Sequence, residues 1–306
     1  MYTFIVNANS RSGLGREIWR KIETKLQTES IPYEVFFTQP HRHTEDIVRT
    51  LTSDHAPHTL VIVGGDGTVN EVINGIVHPE NIILGYIPTG SGNDFGRSYH
   101  FPQDPLQALD FILSPPHIQE IDIGEVLYKG KNRRFIVSSG FGFDAAICHE
   151  VVVSPWKPVL NRLHLGKLVY VFVALHQWFH LKPQKATLIL DQTETHTFEQ
   201  CYFITSMNHP YEGGGFMFAP TANPSDGKLS ICVLANLSKL KMLLLLPTAL
   251  WGKHVNFRGV FQYTCKELSI HSKKAQEVHT DGEPCFLQHD LTLRCMHKQI
   301  RIITPL

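Results

Sequence analysis

A chain of 306 residues, 42% of them hydrophobic, is long enough to bury a substantial core and to divide into two domains. Lysine plus arginine (28) balances aspartate plus glutamate (28), so no net charge draws the molecule to nucleic acid. Six scattered cysteines with no Cys-x-x-Cys pair exclude a disulfide frame or zinc ribbon, and they predict reduced thiols in a cytoplasmic protein.

Met1 to Val6 has neither a charged leader nor a cleavage-like segment, so no signal peptide is expected. Tyr2 to Val6 reads as a strand. It runs into a turn of small and polar residues, Asn7-Ala8-Asn9-Ser10-Arg11-Ser12-Gly13-Leu14-Gly15, and then a helix with Ile18, Trp19, Ile22 and Leu26 on one face. Tyr33 to Phe37 is the next strand and leaves Thr38 at its carboxyl end, where open α/β sheets bind ligands. A helix around Ile47, Val48 and Leu51 follows.

Thr59 to Val63 is a β-branched run that reads as a strand buried on both faces. Val69, Val72, Ile73 and Ile76 then fall at helical spacing, and Gly64-Gly65-Asp66-Gly67-Thr68 separates the two. Glycine lets main chain approach a ligand closely, and a helix start offers unpaired N–H groups to an anion. Strand, glycine turn and helix together make a phosphate-binding device, with Asp66 placed to manage a metal ion or a proton. Ile82 to Ile87 repeats the theme, ending in Pro88-Thr89-Gly90-Ser91-Gly92-Asn93-Asp94-Phe95-Gly96. Its amides suit a polyphosphate, and Asp94 suits Mg²⁺ or a basic side chain. Asp104-Pro105 is an N-cap and first-turn proline for a helix carrying Leu106, Leu109 and Leu113.

These strings resemble the diacylglycerol kinase and sphingosine kinase superfamily, in the form of its bacterial soluble lipid kinases. Gly64-Gly65-Asp66-Gly67-Thr68 running into Asn70-Glu71 resembles the family's nucleotide motif, and Ser91-Gly92-Asn93-Asp94-Phe95 its second signature. In the first turn Ala8 stands where the family usually has proline. The resemblance implies an N-terminal open α/β nucleotide-binding domain like those of phosphofructokinases and NAD kinases. A C-terminal β-sandwich domain would follow, with the active site in the cleft between the two. The boundaries expected are 1–124, with 299–306 returning, for the ATP-binding domain, and 125–298 for the lipid-substrate domain. ATP with Mg²⁺ would be held by Asn7, Asn9, Ser10, Arg11, Thr38, Gly64, Gly65, Asp66, Gly67, Thr68, Asn70, Glu71, Ser91, Asn93 and Asp94.

Beyond Ser114-Pro115-Pro116 helical periods give way to strands at Ile118 to Val126, Phe135 to Ser139, Thr187 to Asp191, Cys201 to Met207, Leu229 to Leu234, Lys266 to Ile270 and Leu291 to Arg294. Asp122-Ile123-Gly124 and the string from Gly140 to Ala145 look like family landmarks, with Asp122 expected near the cleft and Asp144 fixing a turn. Glu212-Gly213-Gly214-Gly215 is a glycine run that would shape the substrate side. The resemblance implies a structural Mg²⁺ loop at Asp226, with backbone groups of Asn223 and Lys228. It also implies that Asp281-Gly282-Glu283 delivers carboxylates to the cleft. Asp281, Glu283 and Asp66 are the candidate catalytic groups, and residue types alone do not choose the base among them.

Two greasy segments, Leu165 to Phe179 and Lys239 to Trp251, are shorter than the about 20 apolar residues of a membrane span. They read as core or interface helices, or as surfaces that wall an acyl chain or dock on a bilayer. The expected activity is ATP-dependent phosphorylation of a lipid hydroxyl, most simply of diacylglycerol. The lipid would be met at a membrane surface, peripherally at the inner face, and a homodimer is left open. An NAD kinase, or a nucleotide- or lipid-binding regulator without turnover, is the alternative.

Overall fold

The computed structural model describes residues 1–39, 43–153 and 166–305. The chain forms two compact units, Met1–Ile123 with Met296–Leu306, and Gly124–Cys295. Chain passes between them at Ile123 and again at Met296.

The first unit is an open α/β sheet. Strands β1 (Tyr2–Val6), β2 (Tyr33–Phe37), β3 (His58–Gly64) and β4 (Ile82–Pro88) run parallel in the order β4-β3-β1-β2. The C-terminal part of the last strand, β13 (Glu283–Thr304), adds to β4 in parallel through Arg301↔Ile83 and Ile302↔Leu84. Parallel strands need covering on both faces, so β3 reads as an uninterrupted apolar run with Leu60 to Val63 all buried. Helix α1 (Leu14–Thr28) lays Trp19, Ile22 and Leu26 on the sheet beside Phe4, Val6, Val61 and Ile87. Helices α2 (His43–Leu51) and α3 (Asp66–Gly75) pack together, and Gly75 is needed where a Cβ would come within 2.6 Å of the Glu45 carbonyl. Helix α4 (Asp94–Ser98) is one turn long. Helix α5 (Pro105–Leu113) starts as its sequence demands, with Asp104 accepting the amides of Leu106 and Gln107.

The second unit is an antiparallel sandwich. Its strands are the end of β5 (His117–Tyr128), β6 (Lys131–Phe135), β7 (Ser138–Gly142), β8 (Gln184–Leu190), β9 (Glu194–Met207), β10 (Leu229–Ala235), β11 (Val260–Cys265), β12 (Glu267–Thr280) and the first part of β13. Both β7 and β8 pair with β9 and with β12, so the long strands β9 and β12 pass from one layer to the other. Register breaks between Gln184 and Ala186 and between His271 and Gln276 supply the bends. Phe135, Phe141, Leu188, Ile204, Ile231 and Val278 fill the space enclosed.

The expected single strand from Phe135 to Ser139 is two strands with a break at Ile136 and Val137, because the carboxylate of Asp281 takes the amides there. Strands β6 and β11 escaped the sequence reading, both being short and β6 largely polar. Both greasy segments are helical, as α7 (Gly166–His180) and α8 (Lys239–Leu245), the latter continuing into a 3₁₀ stretch from Leu246 that contains Pro247; Leu165 lies outside the described residues. Helix α6 (Phe143–Val153) was not foreseen. No described helix is long and apolar enough to cross a membrane.

Candidate active site

Three turns meet at the carboxyl ends of β1, β3 and β4. The closest approach is between the two glycine turns. A Cβ on Gly65 would come within 2.9 Å of the Gly90 Cα, and one on Gly90 within 2.6 Å of the Gly65 Cα, so only main chain fits. The Thr89 amide donates to the Gly64 carbonyl at 2.8 Å. The Asn7 turn joins through side chains. Asn7 Nδ2 donates to Thr68 Oγ1 (3.2 Å), the Ser10 and Thr89 hydroxyls are 2.9 Å apart, and Arg11 Nε donates to the Gly90 carbonyl (2.9 Å). Asn9 donates its amide to the Asn7 side chain, which shapes that turn. The Thr38 amide donates to the Val6 carbonyl and brings the end of β2 to the same edge.

Asp66 opens α3 and closes the site. Its Oδ2 accepts the Asp94 amide (3.0 Å) and its Oδ1 the Phe95 amide (3.2 Å), so this carboxylate caps the start of α4. Asp94 is nearly buried and holds the Arg97 guanidinium, the basic-partner alternative of the sequence reading. Asn93 is left-handed (φ 52°), with its amide on the Gly90 carbonyl and its oxygen accepting from Tyr86 Oη. Tyr86 was missed from sequence, where it is one more apolar strand position. Burial, then Asp66 and Asp94, drives its phenol well above the usual range, so it stays a donor. Gly67 and Thr68 lie in the first turn of α3, and the Thr68 amide donates to the Gly65 carbonyl (2.9 Å). Asn70 is fully buried and contacts Asn74 one turn on, Glu71 is half-buried, and Ser91 is exposed at the tip of its turn.

Asp122 is wholly buried and accepts from His297 Nδ1 and the Lys298 amide, both at 2.8 Å. It fastens the returning end of β13 within the first unit.

In the second unit Asp281 has a task that sequence did not suggest. In left-handed backbone (φ 49°), its carboxylate accepts the amides of Ile136 (2.9 Å), Val137 (2.8 Å) and Ser138 (2.9 Å). Glu283 is half-buried at the start of β13. Behind this turn lies a cluster missed as a unit: Asp144 from α6, Glu212 from the glycine run, and His279 from β12. His279 Nε2 is 2.8 Å from Glu212 Oε1 and 3.2 Å from Asp144 Oδ2, and a Cβ on Gly140 would strike this group. The three donor atoms lie within 4.8 Å of one another, close enough to share a cation. The Gly282 amide donates to His279 Nδ1 (3.1 Å), which therefore carries no proton. Burial raises the Glu212 carboxyl above its ordinary value.

Asp226, Asn223 and Lys228 are not buried. Asp226 Oδ1 accepts the Lys228 amide (3.0 Å), and Asn223 Oδ1 accepts the Ser225 amide (3.1 Å). These are two successive Asx turns.

Residues 1–126 match the family model for the diacylglycerol kinase catalytic domain, and residues 137–304 that for the YegS C-terminal NAD kinase beta sandwich-like domain. The chain belongs to the bacterial diacylglycerol kinase-like lipid kinase family. Similar members include "Putative lipid kinase YtlR" of Bacillus subtilis (strain 168), 30% identical over 92% of each chain. A diacylglycerol kinase of Staphylococcus haemolyticus (strain JCSC1435) is 28% identical over 88% of this chain and 79% of its own. The fold resembles a diacylglycerol kinase from Bacillus anthracis str. Sterne, with TM-score 0.70, 18% identity, and 99% and 96% of the two chains covered. It also resembles an NAD kinase from Archaeoglobus fulgidus solved with ATP, with TM-score 0.53, 12% identity, and 99% and 94% covered. In this lipid kinase, as in its family, an α/β catalytic domain precedes a β-sandwich domain.

Proposed function

We propose that this lipid kinase transfers the γ-phosphoryl group of ATP to a lipid hydroxyl, most simply that of diacylglycerol, yielding phosphatidic acid. The observation that carries the reading is the contact of Gly65 with Gly90, which packs two main-chain turns at the carboxyl ends of β3 and β4. Space that only main chain can fill, beside the start of α3, suits a polyphosphate. Mg-ATP, when bound, supplies the phosphoryl group and the neutralising charge. The turns at Asn7–Arg11, Gly64–Thr68 and Thr89–Asp94 would hold it. Asp66 orients the second signature through the Asp94 and Phe95 amides, and Asp94 keeps Arg97 in place. Phosphoryl transfer to an alcohol needs a proton acceptor, and Glu283, rather than the amide-held Asp281, is the candidate for it.

The test is incubation with radiolabelled ATP, Mg²⁺ and separate micelles of diacylglycerol, a sphingoid base and phosphatidylglycerol, with NAD as a further acceptor. Label in phosphatidic acid supports the reading, and label in another lipid changes the substrate. Label in NADP, or none in any acceptor, overturns it.

A further inference from the structure

The Asp281-Gly282-Glu283 turn is held by more than the Asp281 carboxylate. Asp281 and Gly282 both have positive φ (49° and 83°), and Thr280 pairs with Glu283 across them. A two-residue Asp-Gly hairpin of this kind makes Glu283 the first residue beyond the turn. The Asp281 amide donates to the Ser138 carbonyl (2.8 Å), which ties one side of the tip to β7. The Gly282 amide instead donates to Nδ1 of His279 (3.1 Å), three residues back on β12.

The His279 side chain is wholly buried, and the main chain that carries it is pinned. The Ser139 hydroxyl donates to the His279 carbonyl (2.8 Å), and the His149 ring meets the Val278 carbonyl (3.1 Å). At the far edge of the ring Nε2 faces Glu212 Oε1 and Asp144 Oδ2, at 2.8 and 3.2 Å. Glu212 is itself a fixed post. Its amide and carbonyl both pair with Phe216 (2.8 and 2.9 Å) around Gly213, Gly214 and Gly215, all three with positive φ. Hydrogen bonds in a chain polarise one another, so the carboxyl groups at Nε2 strengthen Nδ1 as an acceptor. That acceptor is the atom that grips the turn.

We propose that His279 is a positioning residue for phosphoryl transfer: steadied by Glu212 and Asp144, it holds the Gly282 amide and so sets the position of Glu283. The proposal deepens the kinase reading, with Glu283 as proton acceptor, and rests on it. A displacement of about 1 Å at a reacting group can cost about 10²-fold in rate, so one bond to the turn has a measurable effect.

Asparagine and glutamine divide the imidazole between them. Asparagine puts an oxygen near the place of Nδ1, and glutamine puts a nitrogen near that of Nε2. His279→Asn therefore keeps an acceptor for Gly282, whereas His279→Gln loses it and still reaches Glu212. With micelles of diacylglycerol, His279→Gln should lower kcat about 10²-fold at unchanged KM for ATP, and His279→Asn should recover at least about tenfold of that loss. Hydrogen exchange at the Gly282 amide, read by NMR, should be slow in wild type and in His279→Asn and fast in His279→Gln. Equal kcat in wild type and His279→Gln overturns the proposal, and so does an equal loss in the two variants. A Gly282 amide that exchanges freely in wild type overturns it even where neither variant folds. Stoichiometric divalent metal in the purified protein, lost in His279→Gln, would make the ring a metal ligand and overturn it as well. A wild type without turnover overturns the kinase reading instead, and Gly282 exchange then still shows whether His279 holds the turn.

Discussion

At the scale of single residues, two carboxylates of the second unit make opposite predictions. Glu212 is buried beside Asp144, His279, Ser138 and Cys148, and burial raises its carboxyl above the ordinary value of 4.5. Below pH 4.5 the group is protonated in folded and unfolded chain alike. Above it the unfolded chain ionises while the native one holds its proton, so stability falls as pH rises until the native carboxyl itself titrates. Glutamine imitates the protonated acid. Glu212→Gln should therefore gain stability relative to wild type as pH climbs, by at most about 1.4 kcal/mol per pH unit, read from denaturant melts at several pH values. A constant difference would show that Glu212 is ionised in the native protein. Asp281 behaves otherwise, since its two oxygens share three amides. Asp281→Asn turns an NH₂ toward an N–H and should cost about 1–3 kcal/mol of stability, whereas Glu283→Gln should leave the melting temperature unchanged. A rate lost in Glu283→Gln, with ATP affinity intact, would then be chemistry rather than unfolding.

Among the elements, the strand–turn–helix units decide nucleotide affinity. The Gly65 Cβ position is already within 2.9 Å of Gly90 Cα, and valine adds two methyl groups there. Gly65→Val should separate the turns and reduce Mg-ATP affinity by at least about tenfold, since main-chain placement sets the anion contacts. Calorimetric titration reads this directly, and unchanged affinity would remove the turn from the site. These units were legible because their signals are local: a β-branched run, glycines, then a helical apolar period. The tie between them was not. Ser10 to Thr89 and Asn7 to Thr68 depend on the parallel order β4-β3-β1-β2, which no short window contains.

For the molecule as a whole, the last strand completes the first unit. Met296–Leu306 belongs to that unit and pairs with β4, and its His297 and Lys298 bind the wholly buried Asp122. Deleting residues 296–306 removes both of these partners and leaves a buried carboxylate poorly compensated, a loss of about 3–5 kcal/mol when a buried charge loses its partner. Limited proteolysis should then cut the first unit faster than in the full-length chain. Equal protection would mean that β13 is dispensable there.

Sequence alone determined the architecture's outline and the family: phosphate-type turns at Gly64 and Gly90, a helix capped by Asp104, and a strand-rich second half are written in neighbouring residues. It also placed Asp281-Gly282-Glu283 among the chemical strings. Only tertiary structure decided what those carboxylates touch. Asp281 meets residues 136–138 because β12 pairs with β7, and Asp144, Glu212 and His279 converge from a helix, a loop and a strand. Such contacts arise from closing long stretches of chain on one another, and a local pattern carries no record of them.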